Sequence, residues 1–296
     1  MGLDERVRQP GSGILQAISA YVVWGLLPVY WKAVQAVPPT QILAHRIFWS
    51  FILLCGVVTV RREWKLLAEL ARDGRTLRYH AVAAALLTVN WLTYIYGVNT
   101  DRIVETSLGY YVNPLVSVFL GVVVLHERLA RAQWVAVGLA VGGVAVFTVL
   151  AGRLPWIAVV LAVTFGFYGL VKKQAQASAV PGLTLETGVV LVPAFAWLCG
   201  AELQGKGALG HSDALTNALL VGAGVVTALP LLLFSAAARK VRLSTMGLLQ
   251  YVSPTCALLL GVLCYHEPFG AARMAGFALI WIGLGLFWWH GRGLGS

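Results

Sequence analysis

RIVETSLGYYVNPLVSVFLGVVVLHERL, residues 102–129, is echoed without a gap by RLSTMGLLQYVSPTCALLLGVLCYHEPF, residues 242–269. Arg102, Tyr111, Pro114, Gly121, His126 and Glu127 fall on Arg242, Tyr251, Pro254, Gly261, His266 and Glu267, a constant shift of 140 positions. Weaker echoes pair Trp24–Gly25 with Phe165–Gly166, and Lys32 with Lys173. Self-similarity at a fixed shift marks an internally duplicated chain. Each copy is also apolar over roughly 20 residues, the length of helix that crosses a hydrocarbon core about 30 Å thick.

Working outward, ten such runs are found, at about 14–34, 41–60, 81–99, 104–125, 132–150, 156–174, 183–201, 217–236, 244–265 and 271–289. The period-2 alternation of a membrane β-barrel is absent. Composition agrees. Of 296 residues, 59% are hydrophobic and 11% charged, too few charges to cover a water-facing surface. The expected fold is therefore an all-α integral membrane protein of ten transmembrane helices. Residues 1–13 form an N-terminal tail, 14–150 and 156–290 two five-helix repeats, and 291–296 a C-terminal tail. An odd number of spans per repeat places the two copies in opposite orientations.

The net charge of +10 could point to nucleic acid. A nucleic-acid binder gathers its basic residues on one polar face, whereas here they flank the apolar runs. Sixteen Lys and Arg fall on one side of the membrane and four on the other, with Lys32 and Arg46 inside spans. The positive-inside rule then puts both termini in the cytoplasm. The opening MGLDERVRQPG reads as a charged tail rather than a cleavable leader. Cys55, Cys199, Cys256 and Cys264 lie in apolar runs without metal-ligand spacing, so no disulfide framework, metal or cofactor is expected.

WGLLPVYWK (24–32), QILAHRIFWS (41–50), NWLTYIYGVN (90–99), ETSLGYYVNP (105–114) and GLLQYVSP (247–254) resemble the RarD-like branch of the EamA transporters, in the drug/metabolite transporter superfamily. The likeness runs from about Gly13 to Trp289. It implies two inverted five-helix repeats, a central cavity lined mainly by the first four helices of each, and a place in the bacterial inner membrane. Related members export amino acids, aromatic ones among them, or are linked to drug sensitivity and efflux.

Polar groups inside hydrocarbon face a partner or an aqueous cavity. Asn90, Tyr94, Gly97 and Asp101 are spaced to share one face of the third span, and Tyr21, Trp24, Pro28 and Trp31 one face of the first. Thr106, Tyr110 and Asn113 do so on the fourth, echoed by Met246, Gln250 and Ser253 on the ninth. As cavity walls, Tyr21, Trp24, Asn90, Tyr94, Tyr110, Asn113, Gln250 and Ser253 suit an apolar body with a small polar head; the aromatics serve equally as helix-to-helix packing. Pro114 and Pro254 each remove a backbone donor at equivalent positions, as hinges or as static kinks.

Among the charges, Arg46 and Glu105 are assigned to closing the outer half of the pathway, with His45 beside them. Lys173 and Glu186 are assigned to the inner half, Glu186 being the repeat-mate of Arg46. The lysines at span ends can instead snorkel. His126–Glu127 and His266–Glu267 read as helix-end contacts. Gly138, Gly142 and Gly143 offer a close-packing face, inside one bundle or between two copies, so both monomer and homodimer fit the sequence.

No acidic residue lies at the centre of a span, which favours facilitated export over proton antiport. The sequence reading is thus a secondary transporter, not an enzyme, exporting amino acids or similar metabolites by alternating access. Its partners are a small-molecule substrate and membrane lipid. Efflux of drugs is the rival within the class; a membrane scaffold or an intramembrane enzyme is the rival outside it.

Overall fold

A computed structural model describes residues 10–125, 131–152, 154–175, 178–238 and 249–291. The helices are α1 (Pro10–Ala33), α2 (Pro39–Arg61), α3 (Trp64–Arg72), α4 (Gly74–Asn99), α5 (Ile103–Leu125), α6 (Arg131–Ala151), α7 (Trp156–Ala175), α8 (Ala179–Leu203), α9 (Ala214–Ala238), α10 (Val252–Leu259) and α11 (Ala271–Gly291). A π-helical turn, Leu260–Cys264, continues α10. Five described helices are long and apolar enough to cross a membrane: Ser12–Ala33, Pro39–Arg61, Gly74–Asn99, Val180–Leu203 and Ala214–Phe234. Large apolar side chains such as Val149, Val192, Phe195 and Trp197 stand on helix surfaces, as expected where the solvent is lipid. The fold is an all-α membrane protein.

Helix ends depart from the apolar runs in three places. α4 starts at Gly74, seven residues before the run at 81, because Asp73 caps it by accepting the N–H groups of Arg75 and Thr76 at 3.2 and 3.1 Å. The stretch 61–80, left between the second and third apolar runs, contains α3, whose charged face hides it from a search for continuous apolar runs. The ninth run is interrupted: the chain turns at Gln250 and Tyr251, and α10 begins at Val252.

The repeat reappears in the helix bounds. Shifting Pro39 by 140 positions gives Ala179, shifting Gly74 gives Ala214, and shifting Arg131 gives Ala271, each the first residue of another helix. Two mate pairs pack on each other, and they run antiparallel. On α2 and α8, His45 shares a cleft with Cys199, while Phe51 lies against Gly188. On α6 and α11, Gly143 faces Ile280, whereas Phe147 faces Gly276. The α6–α11 contact depends on glycine: a Cβ on Gly143 would stand 2.7 Å from the carbonyl oxygen of Gly276. Gly138 and Gly142 have nothing within 4 Å, so the close approach runs through Gly143 inside one bundle.

The chain divides into two compact units, and each takes helices from both sequence halves. The first holds α1, α2, α3, α4 as far as Ala85, α8, α9 and the chain to Ala257. There Tyr30 donates its hydroxyl to the Leu219 carbonyl, joining α1 to α9. Gly224 of α9 rests on the Trp49 backbone of α2. The second holds α4 from Leu86, α5, α6, α7 to Gln174 and the chain from Leu258. Its core stacks Tyr111 edge-on to Phe277 and sets Gly109 against Ala158 and Leu161.

Candidate functional site

In the second unit, the third-span and fourth-span candidates meet. Asn90, 1% exposed, donates Nδ2 to the Leu161 carbonyl at 3.0 Å and to Thr164 Oγ1 at 2.9 Å, tying α4 to α7. Its Oδ1 accepts the Tyr110 hydroxyl at 3.3 Å, tying α4 to α5. Tyr94 meets Tyr110 edge-on at 5.7 Å, and Phe165 meets it at 6.3 Å. A turn further along α5, Asn113 is 2% exposed, and its Oδ1 finds no hydrogen-bond partner among the described residues. A buried carbonyl acceptor without a donor costs free energy on the order of 1–3 kcal/mol unless something supplies one. Thr106 spends its hydroxyl on its own helix, at the Ile103 carbonyl. Asp101 does not join this face: α4 ends at Asn99, and Asp101 is exposed in a left-handed turn (φ 56°).

In the first unit, Tyr21, Trp24 and Phe234 form an aromatic triangle with centroid separations of 5.6, 6.1 and 5.8 Å, covered by Leu249 and Val252. Gln250 lies beside this cluster at the break, and its carbonyl accepts the Ser253 N–H at 3.3 Å. A Cβ on Gly25 would stand 2.8 Å from the Ser253 carbonyl, so glycine lets α1 reach the start of α10. Pro254 is the third residue of α10, where its missing N–H would have had no intrahelical partner. The interruption starts at Gln250, four residues before Pro254, the position whose carbonyl a proline ring clashes with in a continuous helix. Pro114 falls within α5, but its side chain lies outside the described residues, as do Met246 and the Lys173 side chain.

The charged candidates are distributed as follows. Arg46, 5% exposed, places its guanidinium 5.2 Å from the Trp31 ring centroid. His45 lines a cleft of about 380 Å³ in the first unit, between Phe48 and Trp49 of α2 and Phe195 and Cys199 of α8. Gln41 pins the adjoining loop, donating to the Lys206 carbonyl and accepting from Ala208 N–H at 2.8 and 3.0 Å. Glu105 receives Arg102 at 2.7 Å on one oxygen and the Ile157 N–H at 3.0 Å on the other, joining the first turns of α5 and α7.

Sequence reasoning missed two partners. Glu186 pairs with His80, its Oε1 2.9 Å from the imidazole Nδ1, and both side chains are buried. His80 falls just outside the apolar run at 81–99; its place directly before that alanine-rich stretch was the available signal. Glu267, expected as a local helix-end contact, instead caps a different helix. Its two oxygens accept the Ile103 and Val104 N–H groups at 2.5 and 2.9 Å, at the buried start of α5.

The model of the EamA-like transporter family matches residues 11–149 and again 154–289. The chain is 43% identical over 278 residues to Protein RarD of Streptomyces exfoliatus, covering 94% of this chain and 88% of that one. It is 42% identical over 280 residues to the uncharacterized transporter YojE of Bacillus subtilis, covering 93% of each. A solved crystal structure of a protein superposes with a TM-score of 0.61 at 18% identity, covering 97% of this chain and 99% of that one; it supports the fold alone.

Proposed function

This chain belongs to the EamA-like transporter family, and we propose that it exports amino acids, aromatic and other neutral ones, or related small metabolites across the bacterial inner membrane by alternating access. Both termini face the cytoplasm in this reading, and export is facilitated, driven by the substrate gradient. The observation that carries the substrate class is Asn113: a buried amide oxygen without a donor among the described residues, one turn from Tyr110 and its aromatic neighbours. An ammonium group supplies the missing donor, and the rings of Tyr94, Tyr110 and Phe165 match an apolar or aromatic body. The break at Gln250, followed by Pro254 and a π-helical turn, supports alternating access, since interrupted membrane helices leave backbone groups for a substrate. Pro114 and Pro254 are the hinges in this scheme. His45, Arg46 and Glu105 are assigned to the outer end of the path in this scheme, and Lys173 and Glu186 to the inner end.

The test is counterflow in proteoliposomes. Liposomes loaded with unlabelled phenylalanine, leucine or chloramphenicol in separate preparations are diluted into the labelled compound. Accumulation of the amino acids, lost in Asn113→Leu, is the expected result. Accumulation of chloramphenicol alone assigns the protein to drug efflux, and accumulation of none removes the substrate class.

A further inference from the structure

The nine residues of α3, WKLLAELAR, have no buried member and separate two helices that cross the membrane. At 100° per residue, Trp64, Leu66, Leu67, Leu70 and the two alanines cover one continuous side, and Lys65, Glu69 and Arg72 the other. Leu67 and Leu70 are half-buried, and α3 packs on α8. The rest of the apolar side is open: Trp64 is 47% exposed and Leu66 39%. Only Arg62 and Glu63 lie between α2 and α3, and only Asp73 between α3 and α4. Two residues reach about 7 Å at full extension, so α3 stays at the depth where α2 leaves the hydrocarbon. Trp64 adds a tether, donating Nε1 to Thr59 Oγ1 of α2 at 3.0 Å.

We propose that α3 is an interfacial anchor that lies in the headgroup region and selects anionic lipid. Its open apolar side fits the boundary of the acyl chains, and Trp64 is the residue type favoured at that level. Charge complementarity names the lipid. Residues 61–78 carry six cations, Arg61, Arg62, Lys65, Arg72, Arg75 and Arg78, against the acids Glu63, Glu69 and Asp73. Among the described residues none of Arg61, Arg62, Lys65 and Arg72 is held in an ion pair, so these charges are presented to the surface. Anchoring α3 holds the ends of α2 and α4 at fixed depth.

The full chain in vesicles tests this through Trp64, whose emission is isolated as wild type minus Trp64→Phe. Phosphatidylcholine brominated near the glycerol backbone should quench that difference strongly, and phosphatidylcholine brominated near the chain ends weakly. In mixed vesicles with only one lipid brominated, brominated phosphatidylglycerol should quench Trp64 beyond its share of the bilayer. Lys65→Gln and Arg72→Gln, both exposed, should each lower that preference about fivefold at low salt. An unquenched Trp64 overturns the interfacial placement. Equal quenching by the two lipids, or variants that retain the preference, overturns the selection of anionic lipid. Quenching that falls as protein rises at constant lipid puts a second copy on this face and also overturns the proposal.

Discussion

Glu267 should be a major support of the second unit. Helix α5 begins at Ile103 and Val104, both fully buried, so its first N–H groups have no water to satisfy them. The Glu267 carboxylate, 5% exposed, accepts both, at 2.5 and 2.9 Å. A hydrogen bond to a charged group contributes about 1.5–3 kcal/mol net. Glu267→Ala strands two donors and removes the negative charge from a helix N-terminus, a loss of about 3–6 kcal/mol. Glu267→Gln keeps one carbonyl oxygen but turns its amide hydrogens toward the other donor, so about half that loss is expected, roughly 1.5–3 kcal/mol.

The assay is thermal unfolding in mild detergent, followed by the fluorescence of the 11 tryptophans. At about 2 °C per kcal/mol, Ala should lower the midpoint by roughly 6–12 °C and Gln by roughly 3–6 °C. Glu202→Gln is the internal control: its carboxylate meets His211 at 2.7 Å on an exposed surface, where pairs contribute less than about 1 kcal/mol. If both Glu267 variants stay within about 2 °C of wild type, the cap is not supporting α5 and the reasoning fails.

Three further outcomes are expected. Asn90→Leu removes the shared partner of the Tyr110 hydroxyl and Thr164, and should cost about 1–3 kcal/mol together with export in the counterflow assay; unchanged stability would show these bonds to be replaceable. Gly143→Ala should destabilise by about 1–3 kcal/mol, since its Cβ meets the Gly276 carbonyl, whereas Gly138→Ala, into open space, should be neutral or slightly stabilising; equal midpoints would refute the contact. Hydrogen bonds from the Thr216 hydroxyl and N–H hold the Asp213 carboxyl below its ordinary value of 3.8. Because the folded value is the lower one, this cap is at full strength above the unfolded value and is lost as pH falls through the folded value. The midpoint difference between wild type and Asp213→Asn should therefore be flat from neutral pH down to about 4 and shrink only below that.

Most of the fold was legible in the linear order of residues. Apolar runs place helices because a chain in lipid must satisfy its backbone internally. A shift of 140 positions, visible in letters alone, returned as helix bounds that match to the first residue in three mate pairs. The interruption at Gln250 was not foreseen, although Pro254 four residues later supplied the reason. Of the candidate residues, Asn90, Tyr94 and Tyr110 do converge, since helical spacing had already put each on a face with its neighbours. Asp101 fell away because spacing extended the helix past its actual end.

What the sequence by itself determined is the solvent, the helices and the duplication, all properties of runs and periods. What only the tertiary structure decided is pairing: Glu186 with His80, Glu267 with the start of α5, Glu105 with the start of α7, and Gly143 with Gly276. The reason is physical. Membrane helices apolar on every side have no polar face to say which stripe meets which neighbour. The choice of neighbour is made by close packing and by the few buried polar groups that must find one another, and those partners lie 52 to 164 residues apart in the chain. The exception is α3, whose sharp division into apolar and charged sides could be read from nine letters, once the structure had shown that they form a helix at all.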